Sequence, residues 1–376
     1  MAGSVSRLTL PSEFYDRTSE IVLRQPADEF LYAKLLFAAS AKAELQRVGP
    51  EAFTPPGKAS TAAGAPYPMF QSMQDMIADP VRADAIMVSD ELARGPGHTI
   101  RMNRPIFSGG GYTLASRQFA GNLSLNPIPL SDEQVSITIA KFAGPFASGG
   151  TEPQPYAISR MDAQRSVHSL PERVGAALGY DRNAFIDAVF AGYFDSSTTV
   201  LYPGDSSNLL ASDAAAWPVV PVGSLRPFDL ETLLRMEEAL HNAKIPRFSN
   251  GRYIATLTPK QMRQLLSDPQ YQKQSVFLPE KNLLASGGVG SLVVNASIEI
   301  NVCRTNAVDT STVAGVSINH AVMFGPGMVG YAPGIDGVRV EQAPESNYGE
   351  DVKVLWIAYE GSAVLDNRFG VSAHSD

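Results

Sequence analysis

The clearest pattern of hydrophobic and polar positions in this chain lies between residues 227 and 269. Leu233, Met236 and Leu240 recur at spacings of three and four, which predicts a helix with one apolar stripe. Asp229 precedes this stripe, and a short carboxylate at that position accepts hydrogen bonds from the free amides of the first helical turn. The pattern therefore predicts a helix that begins at Asp229 and packs against a core through one face.

The residues that follow predict a strand and a second helix. Residues 252–257 form a short apolar run, which is typical of a strand covered on both faces. Thr258 is the predicted cap of the next helix and Pro259 its first residue, where a missing amide hydrogen costs nothing. The predicted apolar edge of this helix consists of Met262, Leu265 and Leu266.

Two segments with strand-like alternation enclose a long connection. Residues 98–107 and 134–142 alternate apolar and polar side chains, and they predict the two arms of a hairpin. The connection between them holds more than 20 residues without a helical or strand period, which is long for a compact domain. Two interpretations remain open: a projecting loop that reaches a neighbouring subunit, or a disordered surface loop.

A long helix is predicted next. Ser169 and Glu172 have the spacing of a capping box, and apolar residues stripe one face of the segment up to Asp195. We expect the rod to cover 158–195, with a kink at Pro171.

The remaining segments predict smaller elements. Residues 1–27 lack a strong period and are interpreted as an arm, and Asp28 is the predicted start of a helix that docks on something larger. Alternation over 292–302 predicts one long strand with a buried and a wet face, and 352–359 predicts another strand.

Composition narrows the class of protein. The chain has 376 residues and 44% hydrophobic content, which is enough for about two domains with real cores. A net charge of -8 argues against a surface devoted to nucleic-acid phosphates. Cys303 is the single cysteine, so an intrachain disulfide framework is excluded, and we interpret it as a small apolar strand residue. We expect neither secretion nor membrane insertion, because no signal peptide and no run of roughly 20 apolar residues is present.

The candidate chemistry in the sequence is weak. Residues 325–330 match G-x-G-x-x-G, but the Tyr-Ala-Pro-Gly that follows forbids the helix a dinucleotide site needs. The five histidines are scattered and show no local metal-binding spacing. A Ser-His-Asp triad stays open, because its members meet only in space. We interpret His320 as a satisfied histidine at the end of a sheet, and we expect no cofactor, metal or catalytic residue.

Three segments carry a resemblance to a known family. They are GRYIATLTPKQMRQLLSDP at 251–269, VGSLVV at 289–294 and VLWIAYEG at 354–361. Together with the order of the predicted elements, they resemble the major capsid proteins of tailed bacteriophages, in the podovirus-type family of the Hong Kong ninety-seven capsid fold.

This resemblance implies an α+β fold with an N-terminal arm, an extended hairpin loop, a peripheral domain with a long spine helix, and a mixed axial domain. The implied boundaries are 1–75 for the arm with its helix, 76–224 for the peripheral domain with the loop at 98–145 and the spine helix at 158–195, 225–350 for the axial domain, and 351–376 for a C-terminal strand that returns to the peripheral domain.

The implied function is self-assembly into an icosahedral head shell that encloses a double-stranded DNA phage genome. The implied partners are further copies in hexamers and pentamers, together with portal, scaffold or decoration proteins, and DNA by non-specific contact. The implied location is the virion capsid, assembled in the host cytoplasm. The residues expected at subunit interfaces are Arg101, Arg104, Phe107, Tyr112 and Phe119.

Two alternatives from other classes remain open. One is a cytosolic α/β enzyme whose site forms only in space, which requires a pocket that joins His320 or His241 to carboxylates. The other is a monomeric binding module, which predicts an ordered loop and no self-association.

Overall fold

Three β-sheets and one long helix make up most of the described part of the chain. The computed structural model describes residues 30–33, 35–36, 39–40, 85–89, 91, 97–103, 134–146, 153–159, 170–203, 227–248, 251–275, 292–293, 300–307, 310–313, 316–342 and 351–375.

The elements are numbered here in chain order. The strands are β1 (Ile86–Val88), β2 (Thr99–Asn103), β3 (Gln134–Thr138), β4 (Ala140–Gly144), β5 (Tyr156–Ser159), β6 (Thr199–Leu201), β7 (Tyr253–Leu257), β8 (Leu292–Val293), β9 (Ile300–Arg304), β10 (Thr310–Val313), β11 (Val316–Phe324), β12 (Val329–Gln342), β13 (Asp351–Val364) and β14 (Gly370–Ser375). The helices are α1 (Leu170–Asp195), α2 (Leu230–Asn242), α3 (Pro259–Ser267) and α4 (Pro269–Ser275).

A five-stranded sheet has the order β1-β12-β13-β4, and β5 also pairs with β13. Strands β12, β13, β4 and β5 pair antiparallel, whereas β1 runs parallel to β12. Strand β4 lies along one half of β13 and β5 along the other half of the same edge, since β4 pairs with residues 356–360 and β5 with residues 351–354. The two long strands β12 and β13 are therefore the centre of this sheet.

A seven-stranded sheet has the order β6-β14-β11-β7-β9-β8, and β10 also pairs with β11. The β14–β6 and β7–β9 pairs are parallel, and the other pairs are antiparallel. The last two strands of the chain thus separate, because β13 lies in the five-stranded sheet and β14 in the seven-stranded one. Residues 225–350 also contribute to both sheets.

The predicted hairpin is confirmed at its base. Strands β2 and β3 pair antiparallel from Thr99–Thr138 to Asn103–Gln134. The second arm does not continue as one strand to residue 142, because β4 leaves the hairpin and joins the five-stranded sheet. One segment therefore connects the hairpin to the body of the protein.

The long helix begins later than expected. Helix α1 starts at Leu170, directly after the predicted capping residue, and ends at Asp195 as predicted. The prediction that it begins near 158 is wrong, because residues 156–159 pair with β13 as strand β5. An apolar run that short has no decisive period, so pairing with a distant strand determines its structure.

The predicted unit between 227 and 269 is largely confirmed. Asp229 caps α2 and accepts a hydrogen bond from the Thr232 amide. Strand β7 is buried on both faces. Thr258 caps α3 with Pro259 at its first residue. The predicted apolar edge is wrong at Leu266, whose side chain is exposed.

The prediction of one long strand over 292–302 is also wrong. Strands β8 and β9 pair antiparallel, with Leu292 opposite Val302 and Val293 opposite Asn301, so the chain reverses between them. Alternation cannot reveal this reversal. Leu292 and Val302 are both even-numbered residues and pair with each other, so the apolar side chains lie on one face of the sheet whether or not the chain turns back.

Helix α1 packs on both large sheets. Phe194, at one end, contacts Phe324 of β11 with ring centroids 4.2 Å apart, inside the main core. Leu178, nearer the other end, packs in a second core with Val354 and Trp356 of β13. Among the helices that the structure describes, none combines the length and apolar character needed to cross a bilayer.

Candidate functional site

The base of the hairpin presents one of the predicted interface residues. Ile100 and Met102 of β2 are buried in a small core with Ala332 and Leu365, while Arg101 between them is exposed. Packing of one face thus orients the other face, with Arg101, away from the body of the protein. The other predicted interface residues lie outside the described residues; they are Arg104, Phe107, Tyr112 and Phe119.

The glycine motif at 325–330 does not form a nucleotide-binding turn. A turn at residues 326–327 leads directly into strand β12, and no helix begins within the motif. Gly327 adopts a φ of +81°, which accounts for a glycine at this turn. The motif is thus followed by a strand and not by the helix that a dinucleotide site needs, as the sequence predicted.

A buried polar group joins α1 to the five-stranded sheet. Arg182 Nη2 lies 3.5 Å from Glu360 Oε2 on β13, and the Tyr331 hydroxyl of β12 donates to the same oxygen over 2.6 Å. Burial, followed by the charge of Glu360, raises the pKa of Tyr331 well above its ordinary value, so this hydroxyl remains a donor. Nearby, Trp356 Nε1 donates to Asp181 Oδ2 over 2.7 Å. These contacts fix the helix over the two central strands.

A second buried contact joins α1 to the N-terminal helical residues. The backbone amide of Ala33 donates to Asp187 Oδ1 over 2.8 Å. Tyr32 stacks on Phe194 with a centroid distance of 5.2 Å, and its hydroxyl is 3.1 Å from Thr256 Oγ1. The expectation that this segment docks on a larger body is confirmed for the described residues, because their apolar side chains are part of the main core.

A third polar group lies where α1 meets the seven-stranded sheet. Asp195 is the last residue of α1, and its Oδ2 lies 2.8 Å from Nδ1 of His320 on β11. His374 of β14 is directly opposite His320 in the strand register, and its Nε2 lies 3.7 Å from Asp195 Oδ1. The Ser372 hydroxyl donates to the same Oδ1 over 3.0 Å. Three distant segments therefore meet at one carboxylate.

The electrostatics of this group favour an ionised carboxylate. Burial by itself raises the pKa of Asp195, but hydrogen bonds and charge from His320 and His374 outweigh burial and hold that pKa well below its usual range. Burial and the Asp195 charge raise the pKa of Tyr202, whose ring stands edge-on to His374 at 5.5 Å. The group is therefore an anion beside two imidazoles, largely shielded from water.

Sequence reasoning missed this group. Asp195 and His320 are 125 residues apart, and neither lies in a motif. The interpretation of His320 as a satisfied histidine in a sheet agrees with its contact to Asp195, but the second histidine and the helix end were not anticipated. The one available signal was the position of Asp195 at the predicted end of the long helix.

Several solved capsid structures are similar to this chain. The capsid of cyanophage Pam1 matches with a TM-score of 0.50 and 12% identity, over 86% of this chain and 96% of that chain. The capsid of Ralstonia phage GP4 has a TM-score of 0.48 and 13% identity, over 77% and 87%. The capsid of cyanophage P-SCSP1u has a TM-score of 0.46 and 15% identity, over 86% and 92%. No protein-family model matches the sequence, and no curated protein matches it.

The match to the Pam1 capsid defines the fold. It covers 86% of this chain and 96% of that chain, so it is not confined to one common motif. This chain therefore has the mixed α and β capsid fold of tailed phages, the Hong Kong ninety-seven type, as its sequence resemblance implied.

Proposed function

We propose that this protein is a structural major capsid protein that assembles into the icosahedral head shell of a phage with a double-stranded DNA genome. The observation that carries the proposal is the capsid fold itself, matched to the cyanophage Pam1 capsid over 86% of this chain. An assembly function needs a rigid body and surfaces that repeat on every copy, and it requires no active site.

The domain assignment of the resemblance is part of this proposal. Its boundaries stay 76–224 for the peripheral domain, 225–350 for the axial domain and 351–376 for the C-terminal strand that returns to the peripheral domain. The polar contacts of Arg182 and Asp195 anchor α1 to both sheets.

The hairpin is the proposed contact with a neighbouring subunit. Its buried face fixes the strands to the body, and its other face exposes Arg101. We assign Arg101, Arg104, Phe107, Tyr112 and Phe119 to this interface. Many weak contacts of this kind become strong when closed symmetry repeats them.

The proposed partners follow from the same function. Further copies form hexamers and pentamers, and portal, scaffold or decoration proteins contact the finished shell. Packaged DNA touches the shell only non-specifically, in keeping with a net charge of -8. The proposed location is the virion, after assembly in the host cytoplasm.

The enzyme alternative required a histidine joined to a carboxylate in a pocket. His320 does contact Asp195, but the exposed fractions of the two side chains are only 8% and 15%. A general base must reach its substrate directly or through one water, so this burial favours a structural role. We propose no catalytic residue.

Electron microscopy in negative stain, with the mass measured by light scattering, tests the assembly function on the full chain. We expect shells, hexamers or pentamers. A chain that remains monomeric at all concentrations, also when it is expressed with the neighbouring genes of its own genome, contradicts the proposal.

A loop variant tests the interface separately. Replacement of residues 108–126 by a short Gly-Ser linker leaves β2 and β3 intact, so we expect a folded subunit that no longer forms shells. Arg101→Glu should weaken assembly more than Arg101→Lys, which keeps the charge at the same position. Normal shells from the loop variant would count decisively against the proposed contact.

A further inference from the structure

The group formed by Asp195, His320 and His374 has the composition of a metal centre. The three side chains offer one carboxylate oxygen and two imidazole nitrogens, and all three ligand atoms lie within 4.8 Å of one another. Imidazole and carboxylate together are the ligands of many zinc sites. Burial of the group suits a structural role, but a structural contact does not by itself explain why these three side chains meet.

We propose that these three residues bind one divalent transition-metal ion of the zinc class. Bonds of about 2.0 to 2.2 Å place neighbouring ligand atoms of a tetrahedral ion about 3.4 Å apart. The observed separations are 2.8 Å between Asp195 Oδ2 and His320 Nδ1, and 3.7 Å between Asp195 Oδ1 and His374 Nε2. They involve different oxygens of Asp195 and lie on either side of that value, so the carboxylate and the two rings must shift before one oxygen and both nitrogens reach this spacing.

The charge at this position favours a cation. Asp195 carries a carboxylate at the last residue of a 26-residue helix, whose last turn contains no basic residue. The C-terminal end of a helix is itself partially negative. A buried anion at such an end is stabilised by a positive partner, and a divalent ion supplies more charge than one protonated histidine.

The surroundings also provide support for the ligands. Ser372 donates to Asp195 Oδ1 over 3.0 Å, and the Ser372 hydroxyl is 2.7 Å from that of Ser197. Residues in this outer position orient metal ligands and affect affinity. Asp195 is thus held by a partner that a metal ion does not need to displace.

Binding requires one rearrangement of the two rings. The imidazoles of His320 and His374 are stacked, with centroids 3.7 Å apart and planes within 12° of parallel. A metal ion lies in the plane of each ring that binds it, so the rings must tilt apart around the ion. His320 must also carry its proton on Nε2, which leaves Nδ1 free to bind. The ion then replaces the hydrogen bond between His320 and Asp195.

The bound ion would join the end of α1 to strands β11 and β14. Such a bridge connects three segments that are far apart in sequence, and its binding energy adds to the stability of the folded subunit. We therefore expect zinc to raise the unfolding temperature of the full chain, and chelation to lower it.

Metal analysis and titration of the full chain, purified without a polyhistidine tag, test the proposal. We expect one equivalent of zinc per chain by elemental analysis or by calorimetric titration with Zn²⁺. Co²⁺ should give the visible absorption of a tetrahedral site without a thiolate charge-transfer band, because the ligand set contains no cysteine.

Variants locate the binding. His374→Gln and Asp195→Asn should no longer bind the one equivalent of zinc, and Ser372→Ala should bind zinc about tenfold more weakly than the unmodified chain. His241→Gln is the matched control, because it removes an exposed histidine from α2 and should bind as the unmodified chain does. If the unmodified chain binds neither Zn²⁺ nor Co²⁺, the group is a hydrogen-bonded pair only and the proposal is wrong. Binding that survives in both ligand variants would also overturn it.

Discussion

Asp187 gives the sharpest test of how the N-terminal helical residues are held. Its carboxylate is buried and accepts a hydrogen bond from the Ala33 amide. Burial raises the pKa of Asp187 to about 6, although the backbone amides of Ala33, Tyr32 and Leu31 act in the opposite direction. Folding therefore disfavours the charged form of Asp187. The substitution Asp187→Asn removes the charge and retains a carbonyl oxygen that can accept the hydrogen bond from Ala33.

The sign of the pH effect follows from proton binding. The pKa of Asp187 in the folded state, about 6, exceeds the ordinary value of 3.8. Between these values the folded chain binds more protons than the unfolded chain, so the free energy of unfolding falls as the pH rises from about 4 to about 6. A difference of roughly two pKa units corresponds to about 3 kcal/mol.

Urea unfolding of the unassembled subunit at pH 4 and pH 7 measures this effect. We expect the free energy of unfolding of Asp187→Asn, relative to the unmodified chain, to rise by about 2.4 kcal/mol between these two pH values, since the ordinary carboxyl is already partly ionised at pH 4. Glu238→Gln is the control, because Glu238 is exposed on α2 and the change in charge is identical. If Asp187→Asn shows the same pH dependence as the unmodified chain, the carboxylate is not desolvated and the reasoning is refuted.

Two further changes test the packing between helix, hairpin and sheet. Tyr331→Phe should lower the free energy of unfolding in urea by about 1.5 to 3 kcal/mol, since Glu360 loses a short hydrogen bond to a charged acceptor; an unchanged value would contradict a structural role for that bond. Gly361→Ala places a Cβ 2.7 Å from the Thr138 carbonyl oxygen, so we expect about 1 to 3 kcal/mol of destabilisation. Gly192→Ala is its matched control in the same urea assay, because nothing lies within 4 Å of the added Cβ and a helical alanine should stabilise by up to about 1 kcal/mol. Equal effects of the two alanines would show that the hairpin does not press on β13.

The elements that sequence reasoning predicted well are stabilised by near neighbours. Asp229 accepts from an amide three residues later, and Thr258 exchanges hydrogen bonds with Gln261, also three residues later. Such caps depend on side chains and backbone within one turn, so local spacing is enough to identify them. The same Gln261 also donates to the Asn319 carbonyl and to Ser375, and those contacts have no local signal.

The elements that were predicted wrongly depend on distant partners. Residues 156–159 form a strand because β13 offers them a free edge, and their short apolar run carries no period that separates strand from helix. Strands β8 and β9 form an antiparallel pair that alternation does not distinguish from one continuous strand. In both cases the partner strand decides the structure.

The sequence by itself implied the class of fold through the resemblance of three segments to a known family, and it predicted the caps of α2 and α3, the end of α1 and the hairpin, because periodicity and capping act over a few residues. The tertiary structure alone decided how the strands divide between two sheets, and it alone brought Asp195 to His320 and His374. These contacts depend on the register of β11 against β14 and on the position at which α1 ends over them. Register follows from the packing of the whole core, so no short segment of sequence contains it.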